Sequence, residues 1–180
     1  GSENQGSVTI GITESSPVIT YNYSLVDLNP NSATYNETIS PGYFEDQITL
    51  NYFGHQYWGT CTARVGQLNA LHQEFVEQGI NNVQIIAIGK GQYNGDNLNW
   101  TVGNTLPVVN DPLPNDTWTD WGASQRDLFF LDTAGDYVTD FNITSWDEEN
   151  IRNTIYEINQ PKWVYDPGAY QFTAWIVGGI

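Results

Sequence analysis

Between residues 48 and 76 the hydrophobic pattern changes period once. Ile48, Leu50, Tyr52 and Phe53 read as a buried strand, whereas Val65, Leu68, Leu71, His72, Phe75 and Val76 fall at helical spacing, which predicts a helix over 61–78 ended by Gly79. The join is the short loop Trp58-Gly59-Thr60-Cys61, which holds the chain's single cysteine. Residues 83–88, VQIIAI, form an almost uninterrupted apolar run of the kind found in central parallel strands, so the order strand, helix, strand predicts a crossover unit.

Beyond that unit the pattern weakens and then recovers. Residues 89–105 are rich in Gly and Asn, with Leu98, Trp100 and Val102 as apolar anchors, and support only a short or irregular second helix. Leu106 to Val109 reads as a short edge strand, and a helical turn is expected around Trp118 to Trp121. Residues 128–131 and 137–141 predict a hairpin across Asp132 to Gly135. A last helix over 146–158 is signalled by a Ser145/Glu148 capping box and by Ile151, Ile155 and Ile158, and Pro161 ends it. Before residue 44, Val8 and Ile10 alternate with polar residues and so does 18–26, which suggests an extra hairpin followed by a polar surface connection over 27–43. After residue 160, Tyr170, Phe172, Ala174 and Ile176 repeat a strand pattern. The expected division is a hairpin and lead-in over 1–43, a domain over 44–160, and an extension over 161–180 that opens a further domain or pairs with the hairpin.

A strand that feeds a helix through a short loop with a cysteine at the helix start is a layout in which backbone N–H groups and the helix dipole stabilise a thiolate. With Cys61 in the second position of a Cys-x-x-Cys motif, Tyr57 takes the preceding aromatic and Trp58 the attacking position. This segment resembles the thioredoxin superfamily, and within it the amino-terminal, redoxin-like domain of selenoprotein P, where selenocysteine precedes the cysteine. Thr117-Trp118-Thr119, Ser124, Asp127, Asp132 and Gly135 extend the resemblance, which covers about residues 48–158. It implies an α/β fold with a mixed central sheet flanked by helices, here with the amino-terminal hairpin and carboxy-terminal strand-like extension added. The implied activity is thiol or selenol redox chemistry on disulfides or peroxides without a cofactor, at a site of Cys61 and Trp58 lined by His55, Tyr57, Gly59, Thr60, Gln125 and Arg126. Most relatives carry a cis-proline before the strand that follows. Here Gln125 and Arg126 hold that place, so a trans bond is expected between them. The selenocysteine and cysteine codons each lie one base from that of tryptophan. With an indole in the attacking position, weak or absent turnover is expected.

Composition narrows the alternatives. Five Lys and Arg against 21 Asp and Glu give a net charge of −16, which disfavours nucleic acid and anionic membrane surfaces as partners. No apolar run reaches the roughly 18 residues of a membrane-spanning helix. Five Asn-x-Ser/Thr sequons, at Asn22, Asn36, Asn99, Asn115 and Asn142, are compatible with an extracellular or periplasmic location, and Gly1-Ser2 reads as the start of a processed piece of a larger protein. His55, His72 and Cys61 do not have the spacing of a zinc site, and the polar loops 94–97 and 110–120 lack the regular spacing of a calcium loop. His72 reads as a half-buried helix residue, His55 as a possible neighbour of the site, and Trp58 as a packing residue. Two further functions stay open: an inactive binding or spacer module of a multidomain protein, and sugar binding by some of the seven tryptophans and eleven tyrosines.

Overall fold

The computed structural model describes residues 21–160, so the expected strands at residues 8–10 and after residue 160 lie outside the described residues, while in the expected strand over 18–26 the described residues 21–24 are irregular and Leu25–Val26 are paired. The described chain opens with a short antiparallel pair, β1 (Leu25–Val26) and β2 (Thr38–Ile39). Part of the stretch expected to be a surface connection is therefore paired. Its polar residues are not all at the surface either: Asp27 and Asn29 are fully buried because each side chain takes up backbone groups, Asp27 from Asn29 N–H and Val108 N–H, Asn29 toward the carbonyls of Asn104 and Leu106.

A 3-10 turn at Pro41–Tyr43 leads into β3 (Ile48–Phe53), and α1 (Gly59–Glu77) follows. The helix ends as its sequence suggests: Gly79 takes φ +78, Ile80 N–H reaches Phe75 O at 2.8 Å, and Gly79 N–H reaches Val76 O at 3.0 Å, a Schellman termination. Val76 is an exception to the predicted buried stripe and is exposed, because Val65, Leu68, Leu71 and Phe75 already occupy the face toward the sheet. Next come β4 (Val83–Lys90), a kinked 3-10 segment Gly91–Asp96 and the four-residue α2 (Leu98–Thr101), as irregular as its Gly and Asn content predicts. Of the three expected apolar anchors Trp100 is buried, whereas Leu98 and Val102 are exposed.

The edge strand β5 (Val108–Asp111), the short α3 (Asp116–Asp120), β6 (Asp127–Leu131), β7 (Tyr137–Asn142) and α4 (Glu148–Ile158) complete the chain. Gly135 supplies the positive φ of the β6–β7 turn. The predicted capping box does not form. Asp147, not Ser145, is the N-cap and accepts the Asn150 N–H at 3.1 Å, since it sits immediately before the first helical residue.

The five-stranded sheet has the order β5-β4-β3-β6-β7, parallel among its first three strands and antiparallel at β6 and β7. Alternation along β3 divides the core. Ile48, Leu50 and Tyr52 point with Ile85 and Ala87 into a layer closed by α1 and α4, through Leu68, Phe75 and Ile151. Phe53, Ile86, Ile88 and Phe129 point into a more aromatic layer with Trp118, Trp121, Tyr23 and Phe44. All six residues of β3 are buried because both faces are covered.

Candidate functional site

β3 ends at Phe53, and Gly54 lets the chain turn past two aromatic rings: a Cβ there would stand 2.9 Å from Tyr52 and 3.0 Å from Trp100. The loop then passes His55, Gln56 and Tyr57 to Trp58, the extended N-cap of α1. The first N–H groups of a helix have no intrahelical acceptor, so residue 58 sits at the positive end of a 19-residue dipole. Trp58 is not packed away as expected. It is 43% exposed beside Tyr57, because the buried stripe of α1 starts only at Cys61. Gly59 and Thr60 are exposed in the first turn.

Cys61 is fully buried, with Sγ accepting a hydrogen bond from Gln125 Nε2 at 3.3 Å. Its neighbour Tyr52 is held protonated far above the ordinary tyrosine range by burial, with Cys61 adding to the effect. Gln125 reaches the sulfur because the segment before β6 is pinned on both sides. Arg126 N–H donates to Phe53 O at 2.7 Å, Arg126 O accepts Ile143 N–H at 2.8 Å, and Arg126 Nε donates to Thr144 Oγ1 at 2.7 Å. The Gln125–Arg126 bond is trans as expected, but Arg126 takes φ +74, a left-handed conformation that costs a non-glycine residue roughly 1–2 kcal/mol.

The structure does bring His55 to the site. Its ring stacks on Trp118 at 5.4 Å and on Tyr57 at 5.9 Å and tilts against Tyr93 at 5.0 Å. Burial lowers its pKa, and the nearby charges of Lys90 and Arg126 lower it further, so the imidazole is neutral at neutral pH. His72 is the structural residue its sequence position suggested, with Nε2 3.2 Å from Val83 O.

Gln56 and Lys90 belong to this region although no motif marked them. Gln56 is fully buried, and its Nε2 donates to Asn110 Oδ1 at 2.7 Å and Asn97 Oδ1 at 3.2 Å, while its backbone carbonyl accepts Asn99 Nδ2 at 2.9 Å. Gly89 makes the room: a Cβ there would stand 2.1 Å from Gln56 Nε2. Lys90 lies with Nζ 4.4 Å from the Trp118 ring centroid. These contacts join residues far apart in sequence, and the only local signal was a glycine and a lysine ending an apolar strand. No group of three or more potential metal ligands occurs among the described residues. Nor is any described helix long and apolar enough to cross a membrane.

Together, the crossover, the antiparallel β6–β7 pair and a helix starting at the cysteine loop make the fold thioredoxin-like. No protein-family model matches the chain, and no curated protein matches it. Solved structures do. A mitochondrial 2-Cys peroxiredoxin from Plasmodium falciparum aligns with TM-score 0.59 at 19% identity, over 77% of this chain and 90% of its own. A surface-exposed lipoprotein thioredoxin from Streptococcus pneumoniae gives 0.57 at 15%, over 76% and 98%. A secreted disulfide oxidoreductase from Mycobacterium tuberculosis gives 0.56 at 11%, over 77% and 97%. At such identities the likeness carries the fold and not the activity.

Proposed function

We propose that this chain is a thioredoxin-fold redox domain of selenoprotein P type, located outside the cytoplasm and built to act on disulfides or peroxides, in which residue 58 is the place of the attacking group. The observation that carries this reading is the contrast between positions 58 and 61. The first is exposed at the positive end of α1; the second lies one turn further, buried, with an amide donor on its sulfur. A thiolate or selenolate at 58 would gain from the helix terminus, and Cys61 would then release the mixed intermediate. An indole at 58 can do neither. The unmodified chain is therefore expected to lack multiple-turnover disulfide reduction, and burial of Cys61 favours, as a second reading, a module that binds or spaces without catalysis. Sugar binding is the weaker reading: Trp100, Trp118 and Trp121 are buried, which among the described residues leaves Trp58 as the exposed tryptophan beside Tyr57. The sequons and the secreted or surface-exposed relatives of the fold support the location.

Trp58→Cys tests the assignment. With oxygen as the electron acceptor its two thiols should close to a disulfide, and with dithiothreitol as the electron source it should reduce a protein disulfide over many turnovers. Failure to close the bond would remove residue 58 from the motif. Steady reduction by the unmodified chain, lost in Cys61→Ser, would instead make Cys61 the nucleophile. The codon at position 58 in the source gene separates a native tryptophan from a recoded selenocysteine.

A further inference from the structure

The cations of this chain are few enough to follow one by one. There are five, against 21 Asp and Glu. Arg152 pairs with Glu74 and Glu148; Arg64 donates to the carbonyls of Ile143 and Thr144 and to Gln67; Lys162 lies outside the described residues. Lys90 and Arg126 remain. Among the described residues neither has a carboxylate partner, although acids outnumber bases about fourfold in the chain. Asp111, the register neighbour of Lys90 on β5, is buried and accepts the Trp118 N–H at 3.0 Å instead. Arg126 commits Nε to Thr144 and no other guanidinium nitrogen to any described residue.

Both cations flank the β3–α1 loop. Lys90 lies over Trp118, which stacks on His55, and Arg126 adjoins Gln125, whose amide touches Cys61. The depressed pKa of His55 agrees with that placement and leaves Lys90 and Arg126 as the fixed charges. Exposed Tyr57 and Trp58, with Tyr93 packed 4.6 Å from Tyr57, supply an apolar surface beside them. Two unpaired cations beside an aromatic platform are what a small organic anion needs, and the chain's overall negative charge is screened beyond roughly 8 Å at physiological salt.

Building on the redox reading above, we propose that the site takes a small disulfide bearing carboxylates, with the carboxylates held by Lys90 and Arg126 and the sulfurs laid over Tyr57 and Trp58. Binding is the readout, so the outcome does not depend on turnover. The full chain is titrated with dithiodiglycolate, a dianion, and with bis(2-hydroxyethyl) disulfide, its neutral counterpart of similar shape, by calorimetry and tryptophan fluorescence. Cys61→Ser serves as a control that excludes thiol exchange. The dianion should bind about tenfold more tightly or better, and less so as salt is raised. Lys90→Gln and Arg126→Gln should each reduce the preference, whereas Lys90→Arg and Arg126→Lys should keep it, with thermal melts confirming that each variant is folded. Equal binding of the two disulfides, no binding of either, or a preference that persists in the doubly neutralised chain overturns the proposal. Any of those results leaves the redox reading to the Trp58→Cys assay. An inactive Trp58→Cys form with the preference intact would fail that reading alone.

Discussion

The two ends of α1 use charge in opposite ways. At the carboxyl end, Arg152 of α4 reaches both Glu74 and Glu148 and lies 5.2 Å over the Phe75 ring, so the cation is consumed in joining two helices. At the amino end, Lys90 and Arg126 stand without carboxylates among the described residues, and amides do the joining: Gln56 to Asn97 and Asn110, Gln125 to Cys61. A surface that needs only to hold together neutralises its charges. The amino end instead leaves its cations on Thr144 and the Trp118 ring and is joined through amides, the arrangement on which the anion proposal rests.

The amide network is the sharpest place to break this comparison. Gly89→Ala forces a methyl into Gln56 and should cost about 1–3 kcal/mol, read as a drop in denaturation midpoint. An unchanged midpoint would mean that Gln56 is not held there and that the amino end is no more organised than the other. The carboxyl-end ion pairs should matter less. Arg152, Glu74 and Glu148 are all partly exposed, so Arg152→Ala should cost no more than about 1 kcal/mol, and less at high salt. A larger, salt-insensitive loss would show that the work there is done by packing on Phe75.

The smallest effect concerns pH. His55 and His72 both have pKa values below 6.5, His55 through burial, then Lys90, then Arg126, and His72 through burial opposed by its bond to Val83. As pH falls through 6.5 the unfolded chain takes up protons that the folded chain refuses, so these residues lower stability below that pH and contribute nothing above it. His55→Phe keeps a ring among Tyr57, Tyr93 and Trp118 and should flatten part of that decline in melts taken across pH 7 to 5. An identical decline in the variant would place the titration elsewhere.

Much of the fold was legible because it is written in periods. The switch from strand to helix between Phe53 and Val65, the VQIIAI run and the Asp132–Gly135 turn all appear where the pattern puts them. The α4 cap was misread because Ser145 and Asp147 are both good cap residues two positions apart, and local sequence does not choose between them. Within the site, Cys61, Gln125 and Arg126 followed from the resemblance. The exposure of Trp58 did not, since it depends on which way the N-cap projects from a core already closed beneath it. Gln56 and Lys90 were out of reach for a different reason: their partners, Asn97, Asn110 and Trp118, come from other elements 28 or more residues away, and nothing in a sequence window records such a meeting.

Asp27 carries a last consequence. β5 is the outermost strand on its side of the sheet, and an outermost strand offers its backbone to any passing chain. Here Val108 N–H is taken by Asp27 Oδ1 at 2.9 Å, Val108 O by Leu28 N–H at 2.8 Å, and Asp27 bridges Val109. The lead-in thus works as a selvedge, finishing the sheet so that it does not unravel into, or knit onto, a neighbouring molecule at high concentration.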